Sequence, residues 1–160
     1  MDKPPIVRAA DRTPEREEQF SHPLNPASDI HGFQLAGAVG LKHVGVWWAR
    51  VPPGKESFVY HRHHGEEEFM YILAGRAIVE IDGADHEVGP GDFVGFPPGV
   101  AHHLRNPFAE DVVYLSGGET REVEIADFPR LGKRMVRAGN RMDVHDIDDG
   151  PPLYPGTEKL

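Results

Sequence analysis

The sequence contains no cysteine. This absence excludes a disulfide framework, a thiolate metal ligand and a cysteine nucleophile. The sequence also contains no apolar run near the roughly 18 residues that a membrane-spanning helix needs. Its N-terminal stretch is charged and interrupted by proline, and it lacks the apolar segment of a signal peptide. We therefore expect a cytoplasmic protein with no membrane partner.

Basic residues are scarce relative to acidic ones, with 17 Lys and Arg against 26 Asp and Glu and a net charge of −9. A protein that binds the phosphate backbone of a nucleic acid needs a basic face. The charge therefore argues against a nucleic-acid partner. The net charge does not exclude a small anionic substrate, because a local basic patch is enough to bind one.

The 160 residues fit one domain, and the apolar content of 39% and charged content of 27% are typical of a globular chain. Eighteen glycines and fifteen prolines are too many for a helical bundle. They separate short runs of β-branched and aromatic residues, a pattern that predicts an all-β domain with many turns.

Short strands are predicted at intervals of about ten residues, a spacing typical of a β-sandwich or barrel. The Asp82-Gly83 pair is the strongest hairpin signal in the chain. The predicted strands lie near Gln34–Val39, Val44–Val51, Phe58–His63, Glu68–Leu73, Ala77–Ile81, His86–Val88, Asp92–Phe96, His102–Asn106, Val112–Leu115 and Val123–Ile125.

We place the barrel domain at residues 31–118, between an N-terminal arm (1–30) and a C-terminal extension (119–160). Five prolines interrupt the arm, which either lies on the surface or reaches a second subunit. The extension has a basic cluster followed by an acidic, proline-rich end. It is either a solvated tail, or a segment that covers the barrel mouth or clasps a neighbouring chain.

Four residues within the predicted barrel form a candidate metal site. His61 and His63 are two residues apart, so both side chains leave the same face of a strand. Glu68 follows across a tight turn, and His102 follows the rigid Pro97-Pro98-Gly99 turn. Three imidazoles and one carboxylate suit one divalent transition metal (Mn, Fe, Ni, Co or Zn) and leave about two coordination positions open.

The same stretch resembles the cupin superfamily, whose motifs are G(X)5HXH(X)3–4E(X)6G and G(X)5PXG(X)2H(X)3N. The second motif is complete from Gly91 through Pro97-Pro98-Gly99 and His102 to Asn106. The first is met from His61 through Glu68 to Gly75. Six residues rather than five separate Gly54 from His61, which predicts a bulge or a looser turn near Val59–Tyr60.

This resemblance implies a jelly-roll barrel (double-stranded β-helix) that holds the metal inside, with His61, His63, Glu68 and His102 as ligands. Glu68 has the motif's six-residue spacing to Gly75, while Glu67 would meet the shorter spacing from His63. The resemblance also implies a homodimer, in which the N-terminal arm adds a strand to a neighbour's sheet. The chain is similar to small single-domain bacterial cupins that are often labelled sugar-phosphate isomerases.

Two further groups of residues bear on the chemistry. Strand alternation predicts that His64 and His103 point away from the metal, to a solvated or hydrogen-bonded position at the surface. The alternative is that one of them lies near the barrel mouth and is a general acid or base. Arg50, Arg76 and Arg105 are the cations of the predicted barrel that could meet an anionic substrate.

Three functions remain open. The first is a metal-dependent enzyme on a small polar substrate, such as a sugar phosphate or a hydroxy or keto acid, in which the metal is a Lewis acid. An isomerase of this kind also needs a general base, and the sequence contains no unambiguous one. The second is an Fe(II)-dependent dioxygenase, which oxygen consumption would distinguish from an isomerase. The third is a non-catalytic barrel that binds a small molecule.

Overall fold

The computed structural model describes residues 4–147, which are mostly β-strand. In this range no helix has the length and apolarity of a membrane span. The strands are β1 (Glu18–Phe20), β2 (Ile30–Gln34), β3 (Val44–Val51), β4 (Arg62–His63), β5 (Glu68–Ala74), β6 (Ala77–Ile81), β7 (Ala84–Val88), β8 (Phe93–Phe96), β9 (His102–Arg105), β10 (Val112–Glu119), β11 (Val123–Phe128), β12 (Lys133–Ala138) and β13 (Arg141–Asp146). Short 3-10 helices lie at Ala9–Asp11, Pro14–Arg16, Gly37–Val39 and Pro129–Leu131.

The strands form antiparallel sheets that close around one core. The large sheet has the order β1-β2-β3-β10-β5-β8. A three-stranded sheet (β7-β6-β9) and a four-stranded sheet (β13-β12-β11-β4) lie beside it. A β-bridge between His61 and His102 links these two smaller sheets. From β3 onward, neighbours in the large sheet come from distant parts of the chain, as in the jelly roll that the family resemblance implied.

The core follows the period-two alternation of the strands. Val51, Ile72, Val79, Leu104 and Val112 have no exposed surface and come from five strands of the large and the three-stranded sheets. Full burial of an aliphatic side chain of this size contributes about 1.5–3 kcal/mol to stability. Met70 and Ile72 are buried in the core and lie on the same face of β5 as Glu68. The face that carries Glu68 is therefore continuous with the core.

The Asp82-Gly83 hairpin forms as predicted, between β6 and β7. Asp82 has a φ of 47° and Gly83 a φ of 84°. A two-residue turn with positive φ at both positions matches the twist of the paired strands, and glycine adopts this conformation without steric cost.

Two predicted strands are absent or much shorter in the structure. The strand predicted near Gln34–Val39 is wrong, because the strand ends at Gln34 and a 3-10 turn follows. The strand predicted over Phe58–His63 shortens to Arg62–His63. Residues before it pair through single bridges, Glu56 with Ser28 and Arg105 and His61 with His102, so no continuous ladder forms there. This irregular stretch includes Val59–Tyr60, where the extra residue before His61 predicted a looser turn.

Both segments outside residues 31–118 pair with the barrel. In the arm, β1 pairs with β2 at the edge of the large sheet. In the extension, β11 pairs with β4, the strand that contains His63. The domain boundaries remain predictions, and the proline-rich end from residue 148 lies outside the described residues. The pairing of β11 with β4 nevertheless connects the extension directly to the candidate site.

Candidate metal centre

Three separate strand segments deliver the four predicted ligands to one place. His63 lies on β4, Glu68 begins β5 and His102 begins β9. His61 lies just before β4, where its backbone N–H donates to the carbonyl of His102 at 3.1 Å. The N–H of His102 donates in return to the carbonyl of His61 at 2.8 Å. These paired hydrogen bonds hold the two imidazoles side by side across 41 residues of chain.

The Glu68 carboxylate is the point on which the imidazoles converge. Its Oε2 lies 3.0 Å from Nε2 of His102, 3.3 Å from Nε2 of His63 and 3.6 Å from Nε2 of His61. Ligand atoms of His61, His63 and Glu68 all lie within 4.8 Å of one another. Glu67 is exposed instead. The structure thus brings the predicted residues together, while their role as metal ligands remains a prediction.

Backbone carbonyls orient two of the three imidazoles. Nδ1 of His61 lies 2.7 Å from the carbonyl oxygen of Val59, and Nδ1 of His102 lies 3.1 Å from that of Val100. A carbonyl oxygen only accepts hydrogen bonds, so Nδ1 of each ring carries the proton. Nε2 of each neutral ring then presents a lone pair to Glu68.

This arrangement fits a cation. With the proton on Nδ1, Nε2 of His102 and Oε2 of Glu68 are two acceptors only 3.0 Å apart. Two lone pairs at that distance repel unless a proton or a metal ion lies between them. Nitrogen and oxygen donors of this kind are the ligands that middle and late first-row divalent ions accept.

The protonation states of the cluster also fit metal binding. Burial raises the pKa of Glu68, but the close approach of His102, His61 and His63 outweighs burial and holds its pKa well below the ordinary range. Burial lowers the pKa of His61, which favours its neutral form. Burial also lowers the pKa of His63, but the charge of Glu68 and two other carboxylates outweighs it, so its pKa is raised. Metal ions would compete with a proton mainly at His63.

Gly118 leaves room for the Glu68 side chain. It lies directly opposite Glu68 on β10. A Cβ atom at Gly118 would lie 3.0 Å from Cγ of Glu68 and 2.5 Å from the carbonyl oxygen of Glu67. Since the neighbouring atom is backbone, a side chain here would displace β5 and with it the carboxylate.

Glu66 and Glu124 also contact the site, and sequence reasoning missed both. Oε1 of Glu124 lies 3.5 Å from Nδ1 of His63, and Oε2 of Glu66 lies 3.8 Å from it. Both glutamates are buried. The three-residue spacing from His63 could have suggested Glu66. No local pattern points to Glu124, which is 61 residues away from His63.

Tyr114 is a second group that the sequence did not reveal. It lies on the same face of β10 as buried Val112 and is only 2% exposed. Burial and the charge of Glu68 raise the pKa of Tyr114. The hydroxyl therefore stays protonated and is a hydrogen-bond donor rather than a base.

The two flanking histidines differ from each other. His64 points away from Glu68, as predicted, and its Nε2 lies 2.9 Å from Oδ2 of Asp127. His103 lies on the opposite face of β9 from His102, but the predicted surface position is wrong because it is only 7% exposed. It lines an open polar cavity of about 410 Å³, which Glu56 and Arg130 also line.

The three arginines of the predicted barrel bind carboxylates away from the cluster. Arg50 pairs with Glu17 at 2.7 Å on the outer face of β3. Arg76 pairs with Glu87 at 2.9 Å, and Arg105 pairs with Asp85. These contacts occupy the cations that the sequence offered for an anionic substrate.

Comparison with known proteins agrees with the fold. Residues 47–118 match the cupin domain family. A protein of Acidithiobacillus ferrooxidans, whose crystal structure is named as that of a candidate sugar phosphate isomerase, is 34% identical to this chain in sequence. The two structures align with a TM-score of 0.88 over 94% of this chain and 97% of the other. The chain is a cupin. Two curated proteins match parts of this cupin, and their names point to different functions.

An oxalate-binding protein of Thermotoga maritima is 28% identical over 69% of this chain and 90% of its own length. Acireductone dioxygenase of Rhodopseudomonas palustris is 45% identical over 38% of this chain, but this match covers only 40% of the dioxygenase. The relatives therefore establish a small cupin and leave its activity to be argued from the site.

Proposed function

We propose that this cupin binds one divalent transition metal through His61, His63, Glu68 and His102, and that it is an enzyme acting on a small oxygen-rich molecule. The observation that carries the proposal is the convergence of three imidazole nitrogens on one carboxylate oxygen at 3.0–3.6 Å. Two of those imidazoles have Nδ1 hydrogen-bonded to a backbone carbonyl, which leaves Nε2 free to bind a cation.

The metal, once bound, supplies Lewis acidity to a substrate oxygen. The protein supplies the rest. Tyr114 is a protonated donor on the inner face, able to hold a substrate oxygen by a hydrogen bond. Ile72 shares the inner face of β5 with Glu68 and has no exposed surface, whereas the Glu68 side chain is 31% exposed.

The substrate we propose is a small hydroxy or keto acid rather than a phosphate ester. The Acidithiobacillus neighbour suggests a sugar phosphate, but recognition of a phosphate group normally needs a guanidinium, an ammonium or a helix N-terminus. Arg50, Arg76 and Arg105 are paired elsewhere. The Thermotoga relative is named for binding oxalate, a small molecule with adjacent carboxylate oxygens. Isomerase-like interconversion of hydroxyl and carbonyl groups is the reaction we favour.

A dioxygenase is the second candidate. The 45% identity to acireductone dioxygenase favours it, although the similarity covers 38% of this chain. Three imidazoles and a carboxylate also suit Fe(II) with open positions.

The decisive experiment begins with untagged protein purified without chelator. We expect elemental analysis to find about one transition metal per chain. Each metal-loaded form is then incubated with hydroxy and keto acids and with their phosphorylated analogues, under air and under argon. Turnover that continues under argon and is followed by NMR supports the isomerase, while turnover with stoichiometric oxygen consumption supports the dioxygenase. Tight binding of oxalate without turnover of any compound would instead indicate a binding protein, and absence of metal would contradict the whole proposal.

A further inference from the structure

We infer that Glu124, together with Glu66, positions His63 for metal binding, so that the C-terminal extension completes the metal centre. This inference rests on the proposed metal site. It concerns residues that the four-ligand set does not include. Glu124 also lies beyond residues 47–118, the range that matches the cupin domain family.

The three imidazoles differ in what holds their Nδ1 atoms. Backbone carbonyls hold Nδ1 of His61 and of His102. Nδ1 of His63 is buried and forms no hydrogen bond. A buried ring nitrogen without a partner costs stability unless another state of the protein satisfies it.

Two carboxylates lie next to that nitrogen. Oε1 of Glu124 is 3.5 Å away and Oε2 of Glu66 is 3.8 Å away. When Nε2 of His63 binds a cation, Nδ1 must carry the proton and become a donor. A small shift of the ring then lets that proton reach a carboxylate, which is a stronger acceptor than a carbonyl.

Hydrogen bonds between the barrel and the extension hold both carboxylates in place. Oε1 of Glu124 accepts the backbone N–H groups of His64 at 3.0 Å and Gly65 at 3.1 Å. Oε1 of Glu66 accepts the N–H of Arg121 at 2.5 Å and also a hydrogen bond from the Arg137 guanidinium. These contacts use Oε1 of Glu66 and leave its Oε2 on the side of His63.

The backbone of the extension fixes the same geometry. β11 pairs with β4 through Ala126 opposite His63 and Asp127 opposite Arg62. The N–H of His64 and the carbonyl of Ile125 form a further hydrogen bond of 2.9 Å. The side chain of Glu124 therefore approaches His63 from a strand that is tied to the ligand strand itself.

A carboxylate behind a metal-bound histidine has two effects. It fixes the tautomer and the orientation of the ring, and it makes the nitrogen that faces the metal a better donor. Loss of such a partner typically weakens metal binding by about 10–100-fold. The positive charge of Arg137 offsets the negative charge of Glu66, so the Glu66 carboxylate is not an isolated buried charge.

The test compares metal affinity in the full chain, with Co²⁺ as the probe, by calorimetric titration of chelator-treated protein. We expect Glu124→Gln and Glu66→Gln each to raise the Kd by about 10–100-fold. Glutamine keeps the shape and the acceptor oxygen, so the hydrogen bonds to backbone N–H groups can persist. Glu80→Gln is the matched control, because Glu80 is also buried and paired with an arginine, Arg130, but on the face of β6 that lines the His103 cavity.

A second measurement reports on His63 directly. In Zn²⁺-loaded protein with ¹⁵N-labelled histidine, we expect His63 to be protonated at Nδ1 and bound through Nε2. Glu124→Gln should shift the Nδ1 resonance of His63, whereas Glu80→Gln should leave it in place. A purely structural role for Glu124 would lower the unfolding temperature without a selective change at this nitrogen.

The outcomes separate this inference from the proposed function. If wild-type protein binds Co²⁺ and both glutamine variants bind it within twofold of wild type, the inference is wrong and the metal site stands. The inference is also wrong if His63 in the Zn²⁺ form is bound through Nδ1. If wild-type protein binds no divalent ion at these residues, the proposed function itself fails.

Discussion

Glu68 and Glu67 are adjacent and chemically identical, yet they face opposite sides of the chain. The Glu68 carboxylate lies among the three imidazoles, whereas Glu67 is exposed to solvent. The reason is the alternation of side chains at the start of β5, where Met70 and Ile72 also face inward. At this scale, function depends on which of two neighbouring glutamates the strand register turns toward the core.

This difference makes a direct test of the ligand set. We expect Glu68→Gln to weaken divalent-metal binding by about 100-fold or more, because the substitution removes the one negative charge among the ligands and a direct ligand costs at least as much as an outer partner. The Glu67→Gln variant should bind metal with a Kd within about twofold of wild type, since substitution of an exposed side chain has a small effect. Metal content by elemental analysis and Kd by titration measure both. Equal losses in the two variants would contradict the assignment of Glu68.

At the scale of elements, the extension supports the ligand strand through one buried carboxylate. Asp127 on β11 is 1% exposed and accepts hydrogen bonds from Arg134 at 2.6 Å and from Arg62 at 3.2 Å. It also lies 2.9 Å from Nε2 of His64. Arg62 and His64 flank His63 in sequence, so Asp127 ties both sides of that ligand to the extension.

Asp127 should give the protein a characteristic acid sensitivity. Hydrogen bonds from Arg134, and then those from His64 and Arg62, outweigh burial and lower the pKa of Asp127 below its ordinary value of 3.8. A carboxylate whose pKa is lowered by folding stabilises the folded state at pH values above its ordinary pKa. That stabilisation is lost as the pH falls below the ordinary pKa. We expect Asp127→Asn to cost about 3 kcal/mol at neutral pH, as loss of one partner of a buried ion pair does.

The difference in unfolding free energy between wild type and Asp127→Asn should shrink as the pH falls below about 4, because the unfolded wild-type chain then binds a proton at Asp127 while the folded carboxylate still resists protonation. Urea unfolding at several pH values measures this. Asp85→Asn is the control, since Asp85 also pairs with an arginine but is exposed. A constant difference at all pH values would show that the carboxylate charge of Asp127 is not what stabilises the fold.

Close approach of β10 to β5 provides a second test at this scale. We expect Gly118→Ala to cost about 1–3 kcal/mol through overpacking, and also to weaken metal binding because the new methyl group meets Glu68. Gly45 lies directly across from Gly118 on β3, and a Cβ there would find its nearest neighbour at 3.5 Å. Gly45→Ala should therefore leave metal affinity unchanged. Comparable losses of affinity in both variants would indicate a general effect of alanine in these strands.

At the scale of the whole molecule, the candidate ligands lie where distant strand segments of the barrel meet. The four predicted ligands come from three separate strand segments, which meet at the His61–His102 bridge and the start of β5. The outer face is different, with Tyr71, Leu73 and Phe93 exposed on β5 and β8. The homodimer remains a prediction, which sedimentation equilibrium would test.

Metal binding should stabilise the folded chain as a whole, because the ligands converge only in the folded state. At a free metal concentration 100 times the Kd, linkage predicts about 2.7 kcal/mol of added stability. For a chain of this size, that corresponds to a rise in Tm of about 5–10 °C. Thermal unfolding with Co²⁺, and again after addition of a chelator, measures this shift. The shift should vanish in Glu68→Gln; a shift that persists in that variant would locate the stabilising ion elsewhere.

The sequence by itself determined most of the strand pattern of the barrel and identified the four residues that converge. Val44–Val51 and Ala77–Ile81 have the predicted bounds, because strand alternation and turn residues are local properties. The residues of the His-x-His pair and of the Pro-Pro-Gly turn are also local, so spacing was enough to select His61, His63 and His102.

Only the tertiary structure decided what surrounds those residues. Glu124 reaches His63 across 61 residues because β11 pairs with β4, and no local pattern encodes that pairing. His103 is buried and Arg50 is paired with Glu17 because distant segments cover or meet them. Side-chain periodicity indicates which face a residue occupies, but only the packing of distant segments determines what that face meets.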